Sequence, residues 1–344
     1  MNTILQKADK AGIAQGAALI RKGQVVAFPT ETVYGLGADG TDSEAVRRVF
    51  EAKDRPRDNP LIQHIAEFSA WLPLVEDTPP LARALAAAFW PGPLTIILPA
   101  SGVIPPEARA GLPTVSVRMP DHPVATALIQ AAGVPIAAPS ANRSGRPSPT
   151  DAGRVWEDLR GRIPMILDGG SCRVGLESTV ISLEGNGVRI LRPGGITPEM
   201  LETVVQQVKI DPAVLAPLEG RRIAPSPGMK HRHYAPNTPL RVAIGEPDTQ
   251  IRRLSDAYDI LEGQGKRPIL LIVEEMAPSA GSRRRIPWGS LKHPETLAEN
   301  LFSVLRQVDE SGASIGLCQS VPPSGMGLAV MNRLLRAAGY RTLD

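Results

Sequence analysis

Apolar residues along 12–22 recur at helical spacing, with Ile13, Ala17 and Ile20 on one stripe, and the next run, QVVAFP (24–29), has the short apolar character of a buried strand. The alternation continues. DSEAVRRVFEAK (42–53) sets Ala45, Val46, Val49 and Phe50 on one helical face behind a capping Asp42 or Ser43. PPLARALAAAFW (79–90) is a helix opened by proline and stopped by Pro91-Gly92, and HPVATALIQAAG (122–133) is another. PLIQHIA (60–66), LTIILPA (94–100), TVSVRMP (114–120), PIAAPS (135–140) and MILDGG (165–170) read as strands. STVISLE (178–184) and VRILRPG (188–194) read as a hairpin through Glu184-Gly185-Asn186-Gly187. TPEMLETVVQQV, at about 197–209, reads as a closing helix. Helices and strands do not strictly alternate, which predicts a mixed sheet.

The pattern then changes. Residues 210–238 are rich in proline and carry the basic string GMKHRHYAP, the composition of a stiff linker. Beyond it, strand-like PLRVAIG, RPILLIVEE and ASIGLCQS alternate with helices at about 247–262, 293–310 and 326–338, as in a small parallel α/β domain. A chain of 344 residues is long for one core. The expected division is a catalytic domain at 10–209, a linker at 210–238 and a Rossmann-like α/β domain at 239–344. The triple arginine 283–285 reads as a solvated loop.

Composition narrows the function. Aromatic residues are 4% of the chain, so few platforms exist for stacking nucleic-acid bases, and a net charge of +3 suits small anions better than a duplex. The two cysteines, Cys172 and Cys318, form neither a disulfide framework nor a zinc pattern. No apolar run is long enough to span a membrane and the N-terminus lacks a signal-peptide core, so a cytoplasmic protein is expected.

Four stretches carry chemistry. In FPTETVYGLGADG (28–40), Gly35-x-Gly37-x-x-Gly40 matches a dinucleotide fingerprint, but six residues separate the strand from the first glycine. The glycines therefore read as turn-makers, and the Thr30-Glu31-Thr32 cluster is the part placed for a ligand. KDRPRDNPL (53–61) crowds Lys53, Arg55 and Arg57 into one short loop at a helix end; this suits either the helix dipole or a triphosphate. PSANRSGRPSPT (139–150) holds Ser140, Asn142, Ser144 and Ser148, without the surroundings that would make a serine nucleophilic. GLESTVISLEGNGVRILRPG (175–194) adds Ser178, Thr179 and Arg192, and Arg118 sits in a strand that calls for an anionic partner. His231 and His233 suggest a metal only weakly. Cations and hydroxyls dominate, as in a site for several anions.

These segments in order, PTETVYGLG, KDRP…NPLIQHI, TVSVRMPDHP, APSANRSGRPSPT, ILDGG, GLESTVI…ILRPG and SPGMKHRHYAP, resemble the YrdC-like family in its two-domain threonylcarbamoyl-AMP synthase form. The resemblance is strong over about residues 10–240. It implies a twisted mixed sheet with a basic concave site, followed by a Rossmann-like domain. It also implies a nucleotidyltransferase that condenses L-threonine, bicarbonate and ATP, with Mg²⁺ on the phosphates, to L-threonylcarbamoyl-AMP and diphosphate. The product serves threonylcarbamoyladenosine formation at position 37 of tRNA. By the same resemblance Lys53 and Arg55 are catalytic. Thr32, His64, Arg118, Ala138 and Ser178 hold threonine; Arg55, Asn59, Thr114, Ser140, Asn142, Ser148, Arg192 and Tyr234 hold ATP. The linker would fold over the nucleotide. Partners would be the proteins that transfer the product to tRNA, with weak RNA contact and a monomeric chain. Asp54 departs from the family pattern, which has glycine between the lysine and the arginine, so either its side chain points away or the local loop differs. The competing class is a non-catalytic double-stranded RNA or tRNA binder. A carbamoyl-phosphate-using transferase is disfavoured because the chain lacks that assembly's extra domains.

Overall fold

The computed structural model describes residues 1–216 and 233–343, which divide into two units. The first contains β1 (Ile4–Lys7), α1 (Lys10–Arg21), β2 (Val26–Phe28), β3 (Gly35–Asp39), α2 (Ser43–Lys53), β4 (Ile62–His64), α3 (Pro80–Phe89) and β5 (Leu94–Pro99). It continues with β6 (Thr114–Arg118), α4 (Pro123–Ala132), β7 (Ile136–Ala138), α5 (Ala152–Leu159), β8 (Met165–Asp168), β9 (Thr179–Glu184), β10 (Gly187–Arg192), α6 (Pro198–Glu202) and β11 (Gln207–Ile210). The strands form one mixed sheet in the order β1-β8-β2-β3-β7-β4-β6-β5-β9-β10-β11.

Register decides what each face of this sheet carries, because directly paired residues point the same way and neighbours along a strand point oppositely. Ile62 pairs with Ser116 and Ala138, His64 with Arg118 and Ile136, and Thr114 with Pro99. Thr95 pairs with Val180, which pairs with Arg192. One face therefore collects His64, Thr114, Ser116, Arg118, Ala138, Thr95 and Arg192. The other face is apolar. Leu36, Ala38, Ile96, Val115, Val117 and Ala137 pack there against Val46, Val49 and Phe50 of α2, Leu85 of α3 and Val155 of α5, forming the main core.

Gly35 and Gly37 lie in a strand rather than a turn, and Gly40 follows that strand at a turn. β3 runs antiparallel to β2 and β7, and none of Gly35, Gly37 and Gly40 has positive φ. Glycine is needed there for closeness. A Cβ on Gly37 would lie 2.4 Å from Ile136 and 2.7 Å from Phe28, and one on Gly40 would lie 1.9 Å from the buried Gln63 amide.

The expected helix at 197–209 is also corrected. Only Pro198–Glu202 is helical, and Gln207–Ile210 is a strand parallel to β10. The β-branched residues Thr203, Val204, Val205, Val208 and Ile210 favour that outcome. A Cβ at Gly187 would lie 2.3 Å from the Gln207 carbonyl, so glycine allows the two strands to meet. β1 and α5 were not marked by the sequence pattern.

The second unit holds residues 233–343 with Leu215, Ala216 and the short piece Gly145–Pro147. Its elements are β12 (Leu240–Ala243), α7 (Pro247–Gly263), β13 (Pro268–Ile272), β14 (Arg285–Pro287), α8 (Pro294–Glu310), β15 (Ile315–Gln319), α9 (Met326–Ala338) and β16 (Thr342–Leu343). The sheet is wholly parallel in the order β14-β13-β15-β12-β16, as the strand–helix alternation predicts. Of the triple arginine, Arg285 opens edge strand β14, while Arg283 pairs with Asp259 at 2.5 Å.

Candidate active site

The polar sheet face and two loops supply the candidate residues. Lys53 ends α2, whose cap Asp42 accepts from the Glu44 and Ala45 amides. The Lys53 side chain is buried, and its Nζ donates to the carbonyls of Ser140 and Asn142. The Lys53 carbonyl in turn accepts from the Ser144 amide at 2.9 Å. One lysine thus ties the 140–144 loop to the helix end. Within that loop Ser140 Oγ donates to Asn142 Oδ1 at 2.5 Å. Burial, and then the Arg55 charge, hold the Lys53 pKa well below that of an ordinary lysine.

Asp54 is the C-cap of α2 with a left-handed φ of 52°, a conformation in which glycine is the easy residue and aspartate a tolerated one. Its carboxylate faces Arg143 at 2.8 Å and Arg162 at 3.0 Å, away from Lys53. Hydrogen bonds from Arg162 and then Arg143 lower its pKa. The added negative charge is neutralised outside the clamp. Arg55 Nη2 donates to the Asn59 and Pro60 carbonyls at 3.3 Å, which curls the 55–60 loop. The Asn59 side-chain amide is buried with no hydrogen-bond partner among the described residues. Arg57, by contrast, is at the surface, 3.9 Å from Glu51.

At the other end of β4 and β6, His64 Nδ1 lies 3.1 Å from the Ile62 carbonyl and 3.3 Å from the Ile136 carbonyl. Carbonyls only accept, so Nδ1 carries the proton and Nε2 of the neutral ring is an acceptor. Burial, and then the Arg118 charge, push the His64 pKa down to about 3. An unfolded chain would protonate this imidazole below about pH 6.5. Between that pH and about 3 the unfolded state therefore binds a proton the folded state does not, and stability falls as pH falls. Relative to wild type, His64→Gln should lose about 3 kcal/mol less stability between pH 7 and pH 4, read by denaturant titration. Identical pH dependence would mean that native His64 takes up its proton as an unfolded one does.

Arg118 and Glu31 form a buried ion pair at 2.6 Å. Beside Glu31, Thr30 Oγ1 donates to the Val33 carbonyl at 2.7 Å and lies 2.8 Å from Thr32 Oγ1. Further along the sheet Arg192 grips Ser178 twice, Nε to the carbonyl and Nη2 to Oγ, both at 3.0 Å. Thr95 Oγ1 sits 2.7 Å from the same Ser178 Oγ. Ser148 Oγ donates to Glu177 Oε1 at 2.6 Å.

The first unit therefore brings together, on one face and its bordering loops, Thr32, Lys53, Arg55, Asn59, His64, Thr114, Arg118, Ala138, Ser140, Asn142, Ser148, Ser178 and Arg192. Tyr234 belongs to the second unit. There it is buried, with a left-handed φ of 64°, stacked on Phe302 at 5.3 Å with the Arg333 guanidinium 5.6 Å from its ring. His231 and most of the basic linker string lie outside the described residues. Thr95 and Glu177 carry no ligand reading in the sequence, whereas Glu31 belongs to the Thr30-Glu31-Thr32 cluster read as placed for a ligand. Thr95 sits in an apolar run, and only strand register reveals that it shares the face of Arg118.

A separate cleft of about 330 Å³, lined by Ile65, Leu74, Ile129 and Pro135 among others, contains no cation and does not suit an anionic ligand. Among the described residues no group of three His, Cys, Asp or Glu side chains converges as a metal cage, and no helix is long and apolar enough to cross a membrane.

A family model for Sua5, YciO and YrdC, described as telomere recombination, matches residues 18–194. A second, described as the threonylcarbamoyl-AMP synthase C-terminal domain, matches residues 196–339. The chain is 47% identical over 333 residues to the threonylcarbamoyl-AMP synthase of Bacillus subtilis, covering 96% of this chain and 94% of that one. It is 45% identical over 343 residues to the enzyme of the same name from Pyrococcus abyssi, covering 99% and 98%. The solved structure of P. abyssi Sua5 complexed with L-threonine aligns with a TM-score of 0.91 at 45% identity, over 99% of this chain and 98% of that one.

Proposed function

The chain belongs to the Sua5–YciO–YrdC family in its two-domain form, and on that footing we propose how its residues carry out threonylcarbamoyl-AMP synthesis. The activity is a nucleotidyltransferase reaction serving threonylcarbamoyladenosine formation in tRNA, with L-threonine and ATP as substrates. Bicarbonate supplies the carbamoyl carbon. The observation that carries the residue assignment is the single sheet face that sets His64, Arg118 and Arg192 beside the loop tied down by Lys53.

Three anionic reactants must meet there, so positioning and charge neutralisation are the main work. Arg118 takes the threonine carboxylate. Thr32, Ser178, the Ala138 backbone and neutral His64 complete the amino-acid pocket, His64 accepting through Nε2. The threonine amine attacks the bicarbonate carbon, a C–O bond breaks, and the oxygen leaves as water with the protons lost from nitrogen and carried by bicarbonate. The resulting carbamate oxygen then attacks the α-phosphorus, the bond to the β-phosphate bridging oxygen breaks and diphosphate leaves. Arg55, Asn59, Thr114, Ser140, Asn142, Ser148 and Arg192 hold the nucleotide. Lys53 stabilises developing charge from inside the loop and fixes Ser140 and Asn142. The oxygen donors Ser140 Oγ and Asn142 Oδ1 fit a Mg²⁺ ion held mainly by ATP phosphates, which would neutralise phosphate charge.

The three segments 10–209, 210–238 and 239–344 are assigned as catalytic domain, linker and Rossmann-like domain. The protein acts as a cytoplasmic monomer that passes its product to the tRNA-modifying transferase and touches RNA weakly.

Diphosphate release from purified protein should require ATP, threonine and bicarbonate together. RNA binding without such release would favour the binding-module reading instead. Arg118→Lys keeps the charge but loses the fork, and should raise the threonine KM about tenfold or more with the ATP KM nearly unchanged. An unaltered threonine KM would remove Arg118 from the amino-acid pocket.

A further inference from the structure

Among the described residues Glu31 is the carboxylate in direct contact with the proposed threonine-binding cation. It is 1% exposed and Arg118 is 3% exposed, deep enough that any unmatched charge is costly. Their contact, Arg118 Nη2 to Glu31 Oε2, is short at 2.6 Å. It is nevertheless out of line for a hydrogen bond, and both Glu31 oxygens and Arg118 Nη2 lack hydrogen-bond partners among the described residues. A carboxylate present only to neutralise Arg118 would be expected to align with the guanidinium fork. The backbone fixes Glu31 firmly: its carbonyl accepts from the Val174 amide at 2.7 Å, and Thr30 and Thr32 flank it with their own hydroxyl network. A buried carboxylate whose Oε1 has no hydrogen-bond partner among the described residues, and whose Oε2 meets Arg118 Nη2 out of line, is complementary to a group bearing a cation and an anion a few ångströms apart.

We propose that Glu31 receives the α-ammonium of the substrate while Arg118 receives its α-carboxylate, so that the pair recognises the zwitterion of an amino acid. This rests on the assignment of threonine to this pocket. Binding free energy then depends on both charges of the ligand, and Glu31 is a specificity-determining residue for an α-amino acid over a hydroxy acid.

The test compares L-threonine with 3-hydroxybutyrate, which keeps the carboxylate and the hydroxyl and lacks the amine, by calorimetry and competition. Wild-type protein should prefer threonine by about 100-fold or more. Glu31→Gln should weaken threonine by about 30-fold or more and bind 3-hydroxybutyrate at least as well as wild type does. Equal weakening of both ligands would make Glu31 a brace for Arg118 and overturn the proposal, as would unchanged threonine affinity. If Glu31→Gln does not fold, the wild-type comparison decides alone: equal affinities for the two ligands overturn the proposal. Wild-type protein that binds no threonine would overturn the pocket assignment itself, and this proposal with it.

Discussion

Lys53→Met should reduce diphosphate release by about three orders of magnitude while the protein still folds. Methionine matches the length of lysine and fits the buried channel, so packing is largely kept. What is lost is the ammonium that donates to the Ser140 and Asn142 carbonyls. Those carbonyls become unsatisfied, at about 1–3 kcal/mol each. The loop bearing Ser140 and Asn142 then relaxes, and a displacement of about 1 Å at reacting groups can cost ~100-fold in rate. Loss of the positive charge near the transferring phosphoryl group adds a further factor of about ten or more. Lys53→Arg should fail too, because a planar guanidinium does not fit between two carbonyls that already confine a point charge. A Lys53→Met protein retaining more than about a tenth of the wild-type rate would count against this role.

Gly194→Ala should be the most destabilising single methyl in the first unit. An added Cβ would lie 2.3 Å from the Glu177 carbonyl, 2.4 Å from the Thr179 amide nitrogen and 2.5 Å from the Ser178 carbonyl carbon. All three are backbone atoms and cannot rotate away. They belong to a segment already fixed from several sides: Arg192 holds Ser178, and Thr179 Oγ1 both donates to the Ile196 carbonyl and accepts from its amide. Relief requires moving this segment as a whole, so about 2–4 kcal/mol of stability should be lost. For a unit of this size that is a fall in melting temperature of about 5–15 °C. Threonine affinity should drop as well, since Ser178 moves. Gly102→Ala is the control, because nothing lies within 4 Å of its Cβ position and its melting temperature should be nearly unchanged. Equal melting temperatures for the two variants would show that the 177–179 segment yields freely.

Much of this was readable from the chain. Helical stripes, a proline opening and a proline–glycine stop located α2, α3 and α4, and the parallel second sheet followed from strand–helix alternation. The candidate motifs stand out in the sequence because their polar residues interrupt apolar runs, and of the two outcomes open for Asp54 the structure shows its side chain turned outward. The glycines of β3 were misread, since glycine marks both turns and close packing, and only the positions of Ile136 and Phe28 separate the two. The helix expected at 197–209 failed because its tail is equally apolar as helix or strand, and pairing with β10 decided it. The sequence places Glu31 in a ligand-facing polar cluster but does not show its pairing with Arg118, which is far away in sequence and meets it only through the fold.

The most direct measurement uses ¹³C-bicarbonate with ATP, Mg²⁺ and L-threonine, followed by mass spectrometry of the nucleotide product. Threonylcarbamoyl-AMP carrying one heavy carbon, formed together with diphosphate and only when threonine is present, is the expected result. Diphosphate release that ignores threonine, or an adenylate without the label, would contradict it.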